Sequence, residues 1–238
     1  MKKTLTASLL AAGLGLGAAS PALAIGHEEA AGQPEEWTPG ELQAALKAMP
    51  EGDVSRGERL NDTMMCSSCH GAKGETWSRN WTDLAGQRSE YTYKMLLDYR
   101  NALRAEGTAQ AGLMQYVAAP LSKQEMADLA AYYESLPLPK AKMDVEVSED
   151  IEKLVRQGDP ERLITPCAAC HGRHGQGGIN ETPALAGQEE AYFIRTMHAY
   201  KDGDRDNDVN DGMTVFAKQL TDEEIEALAD YYAGLGSE

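Results

Sequence analysis

Cys66-Ser67-Ser68-Cys69-His70 and Cys167-Ala168-Ala169-Cys170-His171 are two copies of one five-residue pattern, and they decide how the rest of the chain is read. In C-x-x-C-H the two thiols are spaced to form thioethers with the two vinyl groups of one haem. The histidine that follows is then held under the ring as proximal iron ligand. One such pattern could be chance, or a redox or zinc C-x-x-C. Two copies that use all four cysteines of the chain leave nothing over for those alternatives. The expected cofactors are therefore two covalently bound haem c groups, attached at Cys66, Cys69, Cys167 and Cys170, with His70 and His171 on the irons. No structural disulfide is expected.

Outward from these patterns the chain repeats itself. At an offset of 101 residues, Val54 and Gly57 match Val155 and Gly158, and Leu84-Ala85-Gly86-Gln87 recurs as Leu185-Ala186-Gly187-Gln188. Tyr91 and Tyr99 match Tyr192 and Tyr200. Beyond a two-residue loss the offset becomes 99, and Met114, Ala118, Leu121, Tyr132 and Tyr133 match Met213, Ala217, Leu220, Tyr231 and Tyr232. These are two copies of one haem domain, 52–138 and 149–238, joined by a Pro-rich, charged linker, 139–148. Each copy reads as helical. An amphipathic segment precedes each motif, Ser55 to Met65 and Glu149 to Leu163, the latter broken by Gly158 and Pro160. Segments Glu90 to Ala105 and Glu189 to Lys201 carry apolar residues at helical spacing. Capping boxes at Ser122/Glu125 and Thr221/Glu224 open closing helices with apolar faces at Met126, Leu129, Ala130, Tyr133 and Ile225, Leu228, Ala229, Tyr232. No period-two run is long enough for a sheet, so the expected fold is all-α. Domains this small bury limited apolar surface alone, and the haem completes each core.

The first 24 residues read as a signal peptide: Lys2 and Lys3, an apolar stretch from Leu5 to Ala19, and Ala22-Leu23-Ala24 as cleavage site. That places the chain in the periplasm, with no stable membrane insertion after cleavage. Residues 25–51 have no counterpart in the second copy and hold one helical candidate, Gly40 to Met49. With 22 basic and 38 acidic residues the net charge is −16, and loss of the two leader lysines makes it −18. Such a chain is repelled by nucleic acid and by anionic membranes. It is drawn to redox partners with basic docking faces, or its acidity serves solubility.

Ten methionines compete for the remaining axial positions. Met64 and Met65 adjoin the attachment cysteines and cannot reach the distal face. Met95, Met126 and Met197 align with Thr196, Ile225 and Leu96, and Met143 lies in the linker. Met114 and Met213 alone occur in both copies, each expected in the loop before the closing helix, 44 and 42 residues after the proximal histidine. His174 is too close to His171, His198 aligns with Leu97, and His27 lies in the extension. His/Met ligation fills both axial positions and raises the potential, as in electron-transfer cytochromes. The main-chain carbonyls of Thr82 and Pro183, each twelve residues after its histidine, are candidates to hold the ring N–H. Arg104 and Arg205, Gln87 and Gln188, Tyr91 and Tyr192 recur as pairs that either bond haem propionates or serve packing. Trp77 and Trp81 belong to the first copy alone.

The order C-x-x-C-H-G, P-x-L-A-G-Q, a tyrosine-bearing helix, G-x-R, a ligand methionine and L-[ST]-x-x-[DE]…L-A-x-Y-Y resembles the dihaem cytochrome c4 family over residues 52–238. The first copy departs from it at Asn80-Trp81-Thr82-Asp83 and Asn101-Ala102-Leu103-Arg104. The resemblance implies two tandem class I cytochrome c domains related by internal duplication and by a pseudo-twofold axis, with propionate edges facing the interface. It also implies electron transfer from a quinol-oxidising complex or dehydrogenase to a terminal acceptor. The alternative is the electron-accepting subunit of a periplasmic dehydrogenase such as a sulfide-oxidising flavocytochrome. A dihaem peroxidase would need an open iron position, which the paired methionines argue against, so no enzyme activity is expected.

Overall fold

The computed structural model describes residues 36–142, 147–179 and 181–237. The signal peptide, His27, Met143 and parts of the extension and linker lie outside them. Within this range the first half comprises α1 (Pro39–Lys47), α2 (Val54–Thr63), α3 (Ser67–His70), α4 (Ser89–Arg100), α5 (Ala109–Ala118) and α6 (Lys123–Ser135). The second comprises α7 (Glu149–Gln157), α8 (Cys167–His171), α9 (Glu190–Asp202), a 3-10 turn (Val209–Asp211), α10 (Thr214–Ala217) and α11 (Asp222–Ala233). Among the described residues the β-pairing is confined to isolated bridges, so the architecture is all-α.

Side-chain caps set most helix starts. Both expected capping boxes form: Ser122 and Thr221 accept from the N–H groups of Glu125 and Glu224, whose carboxylates reach back. A third box, Thr38 with Glu41, opens α1. Caps of this kind contribute on the order of 1 kcal/mol each. The closing helices α6 and α11 form the centre of each core, and all eight apolar positions expected on their inner faces are buried. α4 packs on α6, and α9 on α11.

The entry helices differ between halves. α2 crosses α6 at Gly57, where a Cβ would land on the Asp128 carbonyl oxygen and the Tyr132 side chain. The sequence match of Gly57 to Gly158 does not carry into structure: Gly158 is the residue after α7, at φ 71°, where the helix turns off. α7 instead buries Ile151, Leu154 and Val155 on the second core. Residues 36–51 also acquire a place. Trp37, Leu46 and Met49 pack on the first core, and Leu42 is buried.

Candidate haem sites

In the first half, Cys66 is already helical (φ −58°, ψ −39°) and its carbonyl accepts the His70 N–H at 3.0 Å, so the motif is one tight turn with cysteines and histidine on a common base. Gly71, at φ 79°, turns the chain away; a side chain there would meet the Glu75 carbonyl oxygen. His70 is buried, and its Nδ1–H donates to the Thr82 carbonyl at 2.8 Å. A carbonyl can only accept, so the proton sits on Nδ1 and the lone pair on Nε2. Nε2 is buried with no protein partner. Burial also pushes the imidazole pKa down, keeping the neutral, metal-binding form. Such an orphaned nitrogen calls for a ligand, and it borders a half-open pocket of about 70 Å³ that Met114, Trp81, Tyr99 and Arg104 also line. The donor set, an imidazole lone pair and a thioether on one pocket, fits a haem iron. Four residues of α9 close the cavity from the other half: Tyr192, Arg195, Thr196 and Ala199.

The second half repeats the turn and the carbonyl lock, with proline in place of threonine. His171 is buried, and its Nδ1–H donates to the Pro183 carbonyl at 3.0 Å. Gly172, at φ 82°, again turns the chain. The methionines are held differently. Met114 lies within helix α5 rather than in a loop, against Tyr99, Ala111 and Ala118. Gly112 masked that helix in the sequence, although Thr108 caps it. Met213 immediately precedes α10; its N–H donates to Asp208 Oδ2 at 2.6 Å, behind a turn with Asn210 and Asp211 at positive φ. Met126 and Met197 are core side chains, His174 is exposed and His198 half-buried on α9. The Trp81 and His70 rings meet edge to face with centroids 6.2 Å apart, while Trp77 is 80% exposed.

The paired residues build the interface between the halves. Gln87 Nε2 donates to the Ala184 carbonyl (3.1 Å) and its Oε1 accepts the Ala184 N–H (2.8 Å). Gln188 does the same to Asp83, at 3.1 and 2.8 Å. Positions 83 and 184 are themselves related by the 101-residue offset, so the contact is reciprocal. The glutamines bind the opposite main chain. Arg104 Nη2 lies 3.3 Å from the Tyr192 hydroxyl and Arg205 Nη2 3.4 Å from that of Tyr91, so each arginine crosses over as well. Both guanidiniums stack on a tyrosine of their own half, Tyr99 at 4.8 Å and Tyr200 at 4.4 Å, and both reach Met95 Sδ. Burial alone would push the Tyr192 phenol up, but the two guanidiniums outweigh it and bring its pKa down to about 7. Residues that did not stand out in the sequence complete the interface. Lys94 and Asp98, 1% and 0% exposed, pair at 2.6 Å, and Asn207 of the second half joins them. They are not repeated between copies, so no internal signal marked them.

Two helical units of this kind, each with a C-x-x-C-H turn and a buried histidine locked to a carbonyl, define a tandem c-type cytochrome. The Cytochrome c family matches twice, over residues 54–137 and 161–235. Cytochrome c4 of Thiocapsa roseopersicina is 36% identical across 77% of this chain and 93% of its own. A thiosulfate dehydrogenase electron acceptor of Stutzerimonas stutzeri is also 36% identical, across 81% and 92%. The crystal structure of reduced recombinant cytochrome c4 from Pseudomonas stutzeri superposes with a TM-score of 0.68 at 31% identity, covering 77% of this chain and 99% of that one. The chain belongs to the cytochrome c4 family and carries two covalently bound haem c groups. It is an electron-transfer cytochrome.

Proposed function

We propose that this protein is a periplasmic dihaem electron carrier, cleaved after residue 24, with haem domains 52–138 and 149–238, an extension 25–51 and a linker 139–148. Cys66 and Cys69 hold one haem and Cys167 and Cys170 the other, with His70/Met114 and His171/Met213 as axial pairs. The observation that carries this reading is the unpartnered, buried Nε2 of His70, on one cavity with Met114. Each bound haem supplies a one-electron Fe(III)/Fe(II) couple. The chain's residues do the rest. Thr82 and Pro183 fix the imidazole tautomer, so the rings present a lone pair without reorganisation. The methionines favour the ferrous state and leave no axial position for a substrate, which argues against enzyme activity. Arg104 and Arg205 place a positive charge on the interface side of each site, where propionates need one. Gln87 and Gln188 hold the halves in one register, so the distance between sites is a constant of the fold. Among the described residues no helix is long and apolar enough to cross a membrane.

The acidic surface suits transient docking on a basic partner, between a quinol-oxidising complex or dehydrogenase and a terminal acceptor. A second reading, an electron acceptor dedicated to one dehydrogenase, is favoured by the relative that serves thiosulfate dehydrogenase; a flavocytochrome-type subunit belongs to the same class. Purification from the native host separates the two. A free carrier elutes alone at moderate salt, whereas a dedicated subunit co-elutes stoichiometrically with its dehydrogenase.

A further inference from the structure

We propose that Trp37, on the segment preceding the first haem domain, is a positioning residue for the second haem site, acting through Asp98 and Asn207 on Arg205. The inference rests on the reading that Arg205 serves the second haem.

Asp98 is wholly buried, and a carboxylate there is tolerable only with several donors around it. Its three donors come from three parts of the chain. Trp37 Nε1 donates to Oδ1 at 2.6 Å. Lys94 Nζ, from α4, and Asn207 Nδ2, from the second half, donate to Oδ2 at 2.6 Å each. With its Nδ2 committed to Asp98, the Asn207 amide must turn Oδ1 toward Arg205, whose Nε donates to it at 2.9 Å. That bond, with the Tyr200 ring 4.4 Å beneath, sets the guanidinium plane. One buried Arg205 nitrogen, Nη1, is left without a protein partner, a donor available to the site's anionic ligand. By occupying Oδ1, Trp37 leaves Oδ2 to Asn207 and to Lys94, whose Nζ also donates to the Asn207 carbonyl at 2.7 Å; without Trp37 the carboxylate can rotate and the amide loses its fixed orientation.

The path runs in one direction. The position matching Asp98 is Ala199, and the position matching Asn207 is Glu106, which salt-bridges Arg104 directly at 2.6 Å. Trp37 packs against the first half's core. A merely structural role would therefore disturb the first half and its haem, whereas the proposed role moves the second haem.

The test is a spectroelectrochemical titration of the full holoprotein, with R104Q and R205Q assigning the two redox steps to the two sites. W37F keeps an aromatic ring and removes only the donor. It is expected to lower the reduction equilibrium constant of the step that R205Q moves by about threefold, or about 28 mV at 59 mV per tenfold, leaving the R104Q step in place. N207L cuts the path at its middle, so W37F added to N207L should produce no further shift. If N207L does not load haem, N207S makes the same cut with a smaller side chain. A W37F shift on the R104Q step, no shift at all, or full additivity with N207L would overturn the proposal. If W37F fails while R205Q still moves a step, the path from Trp37 is wrong and the Arg205 reading stands; if R205Q moves neither step, both fall.

Discussion

Glu106 and Asn207 occupy matching positions in the two halves, and they give the two arginines different company: Arg104 is salt-bridged to Glu106 at 2.6 Å, whereas Arg205 Nε donates to the neutral Asn207 amide at 2.9 Å. Burial would raise the Glu106 pKa, but Arg104 and Arg205 pull it below the ordinary carboxylate value, so it is charged. The Arg104 guanidinium is thus directly paired with a carboxylate, and the Arg205 guanidinium, bonded to a neutral amide, is the less compensated of the two. Reduction of a haem removes one positive charge from the iron, so a less compensated cation nearby favours the reduced state.

Two separate one-electron steps are therefore expected, the second haem having the higher potential. E106Q should raise the lower step by about tenfold in its reduction equilibrium constant, roughly 59 mV, and narrow the gap. A titration in which E106Q moves the upper step, or in which one step suffices for wild type, would contradict the assignment.

Axial ligation by Met114 and Met213 has a spectroscopic signature. The oxidised protein should show the weak iron–thioether band near ~695 nm seen for His/Met cytochromes. M114A and M213A should each remove about half of it, and the double variant all of it. A band insensitive to either change assigns ligation elsewhere.

Gly57 lies where two helices touch. G57A forces a Cβ onto the Asp128 carbonyl, so α2 must shift or α6 bend, with a loss of about 1–3 kcal/mol. Thermal unfolding should report it as a lower midpoint. Gly40 has open space around it, and G40A in α1 should be neutral or slightly stabilising. Equal effects of the two changes would argue against the close crossing.

The acidic surface bears on partner encounter. Electron transfer to the physiological acceptor or donor should slow as ionic strength rises and shortens the Debye length below about 10 Å. Rates independent of salt, with no complex isolated, would assign the acidity to solubility alone.

Much was legible in the sequence because it is local or duplicated. A C-x-x-C-H turn is made by five consecutive residues, a capping box by four, and an amphipathic helix shows its inner face through spacing. The internal repeat acted as a built-in alignment: it singled out Met114 and Met213 among ten methionines, and the carbonyls of Thr82 and Pro183 stand where twelve-residue spacing put them. The same alignment misled wherever the halves diverge. It equated Gly57 with Gly158, and it placed Met114 in a loop when it lies in α5.

What only tertiary structure decided is the set of contacts between segments about a hundred residues apart. Gln87 and Gln188 could equally have met propionates; their reciprocal grip on residues 184 and 83 exists because two halves face each other across a pseudo-twofold axis. Trp37, Lys94, Asp98 and Asn207 carry no spacing signal, since a buried carboxylate collects donors from whichever segments the packing brings within 3 Å. Chemistry written in adjacent residues is read from sequence; chemistry assembled from distant ones depends on burial, which strips water from polar groups and obliges them to find one another.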